Sequence, residues 1–302
     1  MIDLHIHTVH SDGQPTVKEI LTLAEENKLD YIAFTDHDAV SAFGEVKELN
    51  LKDYFSGKVI PGCELRFVYN NMQMEVLGFG FDYEKMKGNY WVNKESYHAI
   101  KKAILDTCLT KGKLAGFKYN TIEYNPNEKS EKIFYRELLN YEENLPILEK
   151  FGIKHGGDFF RKMIASKDSP MYFDPTNYSL SFEDAVDLIH SCGGLAILAH
   201  PFGVYKIDDP KKVLDELIAK NKLDGLECYH SSMTPEHTEY LLEVCKKHNL
   251  LSTGGSDYHA YPGQVFAKAH SGETPIPTSL IENFLQKINI QALKKIFEFY
   301  RG

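Results

Sequence analysis

Apolar and polar positions alternate from the first residues. In MIDLHIHTVHSDG (1–13), Ile2, Leu4 and Ile6 fall on one side of an extended strand, and Asp3, His5 and His7 on the other. The period then changes. Pro15 stands near a helix start, and Val17, Ile20, Leu21 and Ala24 recur at helical spacing. The unit strand, polar loop, helix sets a rhythm that returns along the chain. YIAFTDHDAV (31–40), KVIPGCEL (58–65), MEVLGFGFD (74–82), GLAILAHP (194–201), LDGLECYH (223–230) and LLSTGGSDYH (250–259) read as further strands. Helical patterns separate the later ones. Residues 181–191 begin SFED, a capping-box-like start, and Thr234-Pro235 opens 235–248 with Leu241, Leu242 and Cys245 on one face. Strands alternating with helices imply a parallel sheet or barrel, and the seven strand candidates favour a (β/α)7-type barrel.

Most of these strands end in residues that carry chemistry: Asp36, His37 and Asp38, then Glu64, His200, His230, Asp257 and His259. C-terminal strand ends are where α/β barrels build their active sites. The rhythm breaks from about Tyr83 to about Tyr178, a lysine- and glutamate-rich stretch of helical pattern with loop signals such as NPNEKS (125–130). The expected organisation is a barrel domain of residues 1–82 and 179–302, with an inserted helical cap subdomain of residues 83–178.

Composition narrows the function classes. A net charge of −9 argues against a long nucleic-acid duplex as partner. Divalent ions held by some of those acids would make one pocket locally positive, so a small anion fits as substrate. No run reaches the roughly 18 apolar residues of a membrane span. The N-terminus lacks the basic and apolar regions of a signal peptide, so the expected location is cytoplasmic, with no membrane partner. Cys63, Cys108, Cys192, Cys228 and Cys245 are odd in number and form no CxxC pair, and they read as small buried hydrophobes.

A lone HxH on a strand is a modest metal signal, because surface strands carry it by accident. The convergence is the stronger argument. His5, His7, Asp12, His37, Glu64, His200, Asp257 and His259 all fall at or just beyond strand ends on one expected rim. Carboxylates bridge ions and neutral imidazoles terminate them, so this set suits two or three divalent metals.

In order, LHIHTVHSDG, FTDHD, PGCEL, LAHP and GGSDYH resemble the motifs of the PHP (polymerase and histidinol phosphatase) family, and they run from residue 2 to 259. The resemblance implies an α/β fold, a distorted (β/α)7 barrel, with a trinuclear centre of manganese, iron or zinc and phosphoester hydrolysis. Spacing and insertion look most like the stand-alone branch, which includes phosphatases of nucleoside 3′,5′-bisphosphates and 5′-to-3′ exonucleases of short RNA. By that resemblance His5, His7, Glu64 and Asp257 hold one ion, and Asp12, His37 and His259 a second. Glu64 bridges to a third, completed by His200 and one more residue. Relatives carry a histidine there in a VHLLG-like stretch. This chain reads MEVLG, and Glu75 is expected to substitute, since carboxylate oxygen also ligates these metals. A second departure concerns the GRPH-like motif of the nucleotide-acting relatives. Here GIKHGGDFFRKM (152–163) keeps Lys154, His155 and Arg161 nearby without the intact motif.

Arginine suits bidentate phosphate recognition. Among Arg66, Arg136, Arg161 and Arg301, the candidates are Arg66, two residues past Glu64, and Arg161 in the insertion. Arg136 and Arg301 read as solvated helix charges. His230 ends a strand on the same rim. A phosphate or leaving-group role for it stands beside that of a hydrogen-bonded structural histidine. His10 falls off the motif spacing, and His98, His190, His237, His248 and His270 read as helix or loop surface. The expected reaction is hydrolysis of a phosphate monoester, on a nucleotide or other small phosphorylated substrate, by attack of a metal-bridging hydroxide, with Glu64, Asp257 and His230 at its centre. A histidinol-phosphate-type phosphatase would use the same cage. An amidohydrolase-type C–N or lactone hydrolase shares the HxH and the last-strand aspartate, but gives Asp12, His37 and His259 no role as a set. A non-catalytic module attached to a polymerase lacks a polymerase-sized remainder in 302 residues.

Overall fold

β1 (Ile2–Ile6), α1 (Val17–Glu26), β2 (Tyr31–Phe34), α2 (Ser41–Glu48) and β3 (Lys58–Tyr69) open the chain as parallel strands joined by helices. These come from a computed structural model that describes residues 1–70, 72–126, 128–203 and 208–288. Thr16 and Glu19 close a reciprocal capping box on α1, and Val17, Ile20, Leu21 and Ala24 are buried as their spacing requires. β4 (Met72–Phe79) then turns back antiparallel to β3, with Tyr69 opposite Met72, and α3 (Tyr83–Lys87) follows. The antiparallel strand departs from the all-parallel expectation.

Two compact units follow from the contacts: residues 1–93 together with the chain from Leu180 onward, and residues 94–179. The inserted unit is helical, with α4 (Lys94–Leu114), α5 (Ser130–Leu138), α6 (Leu145–Lys150) and α7 (Gly156–Phe159). Cys108, Phe117, Phe134, Leu138, Phe159 and Met163 form its core. Its buried Asn144 amide is fully used, accepting from Lys118 N and donating to the carbonyls of Lys118 and Leu138.

The first unit resumes with β5 (Leu180–Ser181), which pairs with β3, and α8 (Phe182–Ser191), capped by the Ser181 hydroxyl. β6 (Leu195–Leu198), α9 (Pro210–Ala219), β7 (Gly225–His230), α10 (Pro235–His248), β8 (Leu251–Gly255) and α11 (Glu282–Lys287) complete it. The sheet order is β1-β2-β3-β4-β6-β7-β8, and only β4 runs against its neighbours. The ends of this sheet meet. Ile6 bridges Tyr258, His7 N–H donates to Tyr258 O at 2.9 Å, and Asp257 N–H donates to His5 O at 2.9 Å. The result is a nearly closed, distorted barrel.

Closure needs a glycine. A Cβ at Gly255 would lie 2.1 Å from His5 Cβ and 2.4 Å from His5 N. Only the bare backbone lets β8 pass this close to β1.

Two irregularities aim side chains inward. The β1–β2 register shifts between Asp3 and Ile6. Ile2 and Leu4 pack with Ala33, Ile60, Leu77 and Ile197, while Ile6 packs against α1 and α2 with Val17 and Phe43. The single apolar face drawn for Ile2, Leu4 and Ile6 is therefore broken. A bulge lets Leu4 fill the floor while His5 and His7 point above it. A second shift lies between Glu227 and Tyr229 on β7, and it turns both Glu227 and His230 toward β1 and β8. Among the described residues no helix is long and apolar enough to cross a membrane.

Candidate metal centre

Glu64 lies inside β3 rather than at its end, and its carboxylate is the hub of the site. His5 Nε2 is 3.4 Å and His200 Nε2 3.1 Å from Oε1. His7 Nε2 is 3.3 Å and His37 Nδ1 3.0 Å from Oε2. Asp257, just past β8, adds an oxygen 3.2 Å from His7 Nε2 and 3.5 Å from His5 Nε2. Asp12, on the loop after β1, lies 3.1 Å from His259 Nε2 and 3.7 Å from His37 Nε2. Glu75 reaches the same cluster because β4 is antiparallel, which brings the strand's first half to the rim. Its oxygens stand 3.5 Å from His200 Nε2 and 3.7 Å from His37 Nδ1. The backbone is bent to make this arrangement. Asp38, His200 and Asp257 have φ of 45°, 25° and 55°. Such left-handed conformations are uncommon for residues other than glycine and collect at functional sites.

These donors fit divalent metal. His5 Nε2, His7 Nε2, His37 Nδ1, His230 Nε2 and Glu64 Oε2 are buried and make no hydrogen bond. Buried polar atoms are nearly always paired, so a cluster of exceptions aimed at one another marks a place built for something else. Three groupings have ligand atoms within 4.8 Å of one another: His5, His7 and Glu64; His7, Asp12, His37 and His259; and His37, Glu64 and Glu75. A fourth brings together His5, His200 and His230. The tautomers agree for two rings. His5 Nδ1 faces a carboxylate and His259 Nδ1 faces the Asp257 carbonyl, so both must donate there, leaving Nε2 as the lone-pair nitrogen.

Burial is the largest single influence on these groups, and at His5, His7, Glu64 and Asp257 the neighbouring charges together outweigh it. Burial works against charge on His5 and His7, yet Glu227, Glu64 and Asp257 hold His5 well above the usual imidazole range. Asp257 and Glu64 bring His7 to about 10. Burial likewise opposes ionisation of Glu64 and Asp257. The surrounding histidines reverse the balance and hold both well below the carboxylate norm. Glu75 goes the other way: burial first, then the charge of Glu64, raises it. Bound cations would replace the protons that now balance these acids.

Comparison with known proteins is consistent with this donor set. The sequence profile of the PHP domain matches residues 3–192. The chain belongs to the PHP domain family. Curated relatives include the 5′-3′ exoribonuclease Rnm of Escherichia coli, 26% identical over 85% of this chain and 84% of its own length. The phosphoribosyl 1,2-cyclic phosphate 1,2-diphosphodiesterase of Eggerthella lenta is 27% identical over 87% and 95%. The 3′,5′-nucleoside bisphosphate phosphatase of Chromobacterium violaceum is 25% identical over 87% and 88%. In fold, the chain is similar to a structure from Bifidobacterium adolescentis described as a metal-dependent phosphoesterase, at a TM-score of 0.66 with 23% identity over 95% of this chain and 96% of that one. This PHP protein is a metal-dependent phosphoesterase, a hydrolase of phosphate esters that uses divalent metal.

The remaining candidates of the PHP protein divide. His230 is 1% exposed, with Nε2 3.4 Å from Asp257 Oδ2. The Ser232 N–H donates to its Nδ1, so the neutral ring carries its proton on Nε2, facing the cluster. Arg66 lies on β3 two residues past Glu64, and Asp38 grips the guanidinium through Nε at 2.6 Å and also through Nη2. Arg161 belongs to the inserted unit, half-exposed and paired with Asp158 at 3.0 Å.

Sequence reasoning gave no role to three buried carboxylates. Glu227 binds His5 Nδ1 and the His200 N–H. Asp3 binds Ser256 and Ala267, tying β1 to the segment that carries Asp257, and burial lifts it to about 6. Asp36 accepts from Thr8 N and Oγ1 and from Ser11 Oγ, anchoring the loop that presents Asp12. For Glu227 and Asp3 the available signal was an acid at an otherwise apolar strand position; Asp36 lies beyond the end of β2.

Proposed function

We propose that this PHP protein is a phosphomonoesterase acting on a nucleoside 3′,5′-bisphosphate or the end of a short oligonucleotide. The observation that carries the reading is Glu64, one buried carboxylate within 3.4 Å of ring nitrogens from His5, His7, His37 and His200. In this reading His5, His7, Glu64 and Asp257 hold one ion, and Asp12, His37 and His259 a second. Glu64, Glu75 and His200 hold a third, so the chain takes two to three ions of manganese, iron or zinc. When bound, such ions offset phosphate charge and make a nucleophilic oxygen available near neutral pH.

The chain's own residues do the rest. Arg66, oriented by Asp38, sets a fixed positive charge at the rim for the phosphate. His230, with its proton kept on Nε2 by the Ser232 N–H at Nδ1, donates a hydrogen bond that stabilises charge on the leaving oxygen without giving up the proton. Asp257 Oδ2 lies 3.4 Å from the same Nε2. Two of the relatives, named for exoribonuclease and bisphosphate phosphatase activity, support the nucleotide reading.

The test is phosphate release by the manganese-loaded protein. A nucleoside 3′,5′-bisphosphate, histidinol phosphate and a phosphoribosyl 1,2-cyclic phosphate are compared at equal concentration. The expected result is a kcat/KM at least tenfold higher for the bisphosphate. Preference for histidinol phosphate would contradict the nucleotide assignment. Opening of the cyclic ester without monoester hydrolysis would contradict the monoesterase assignment.

A further inference from the structure

Glu227 lies on β7, is 0% exposed, and has no place in the ligand sets above. Its two oxygens are divided between two ligands from different strands. Oε1 accepts from His5 Nδ1 at 2.9 Å, and Oε2 accepts from the His200 backbone N–H at 2.8 Å. His5 belongs to β1, and His200 follows β6 in a left-handed conformation with φ of 25°. One carboxylate thus fixes a ring on one strand and a strained backbone on another. The bulge between Glu227 and Tyr229 is what delivers it to that point.

We propose that Glu227 is a positioning residue of the metal centre, selecting the His5 tautomer and locking the His200 backbone; the proposal rests on the metal-centre reading above. The chemistry is specific. A carboxylate only accepts hydrogen bonds, so His5 Nδ1 must carry a proton and Nε2 must present its lone pair. That Nε2 is the buried atom without a hydrogen bond, 3.4 Å from Glu64 and 3.5 Å from Asp257. A carboxylate behind a ligating imidazole also makes the ring a stronger donor, and loss of such partners typically costs 10- to 100-fold in metal affinity. Both Glu227 oxygens are already occupied by N–H donors, which sets it apart from a ligand.

Glu227→Gln isolates the effect at constant shape. The amide has one accepting oxygen. If that oxygen keeps the His200 N–H, the NH2 faces His5 Nδ1 and forces the proton onto Nε2, where it blocks a metal ion. Three measurements go together on the full chain: manganese affinity by titration, thermal unfolding of the metal-free protein, and 15N spectra of histidine-labelled, zinc-loaded wild type. His5 is assigned by the signals lost in His5→Gln. The proposal expects wild-type His5 to carry its proton on Nδ1 and zinc on Nε2, and Glu227→Gln to bind manganese at least tenfold more weakly while still unfolding cooperatively. Wild-type zinc on His5 Nδ1, or unchanged manganese affinity in Glu227→Gln, overturns it. If Glu227→Gln fails to fold, the wild-type spectrum decides alone. A wild type that binds neither ion contradicts the metal-centre reading itself, which keeps the two failures distinguishable.

Discussion

Arg66 and Glu75 stand directly opposite each other in the β3–β4 ladder, on the face that also carries Glu64. Because β3 and β4 form an antiparallel pair, the cation proposed for substrate and the carboxylate proposed for metal occupy neighbouring places on one rim. Asp38 holds the arginine from the far side. Asp38 thus sets the position of Arg66 before any phosphate arrives.

Arg66→Ala should raise KM for the phosphate ester more than it lowers kcat. A charge-assisted contact of this kind contributes about 1.5–3 kcal/mol, so kcat/KM should fall by roughly 10- to 150-fold. Arg66→Lys should recover little of it, because a lysine cannot reproduce the fork held by Asp38. Steady-state kinetics of the two variants check this.

Glu75 carries the opposite expectation in the metal-free and metal-loaded protein. Burial and Glu64 raise its pKa, so its charge at pH 7 works against folding when no cation is present. Glu75→Gln should stabilise the metal-free protein at pH 7. That gain should shrink as pH falls through the raised value. The same variant should bind one ion fewer. Denaturant unfolding and metal analysis after gel filtration measure the two effects.

Most of the rim was legible in the sequence, because ligand-type residues ended strands whose apolar runs were unmistakable. The direction of β4 was not. An alternating run states which face is buried and says nothing of direction. The usable signal was the Tyr-Asn-Asn-Met stretch at 69–72, where Asn70 takes φ of 49° and Tyr69 pairs with Met72. The bulge in β1 was illegible for a related reason: a register shift leaves composition and alternation in the sequence unchanged. His270 shows a third limit. It reads as surface, yet it is 8% exposed, held by nearby Thr274 and by Thr238, a contact that only the fold brings together.

Gly255→Ala should be among the most damaging small substitutions. The added carbon would overlap His5 Cβ and backbone N, and neither can yield without opening the β1–β8 seam. A loss of about 3 kcal/mol is expected, together with weaker metal binding through displaced His5. Thermal unfolding and manganese titration on the same preparation test both.

His190 and Asp224 form a half-exposed pair at 2.7 Å, away from the metal cluster. The hydrogen bond that His190 donates to Asp224 raises the His190 pKa. A histidine with a raised folded value stabilises fully below its unfolded value of roughly 6.5, and the benefit is lost as pH rises through the folded value. Solvent screening keeps the gain under about 1 kcal/mol. His190→Ala should therefore destabilise the protein slightly at pH 5.5 and hardly at all at pH 9, as read from unfolding midpoints.

The most direct test of the metal centre is phosphate release from a nucleoside 3′,5′-bisphosphate by chelator-stripped protein, before and after manganese is restored. Asp257→Asn and the His5→Ala/His7→Ala double variant are assayed beside it. The account predicts activity that disappears on stripping, returns with manganese, and is absent from both variants while their folds persist. Undiminished hydrolysis by the stripped protein, or by the double-histidine variant, would contradict it.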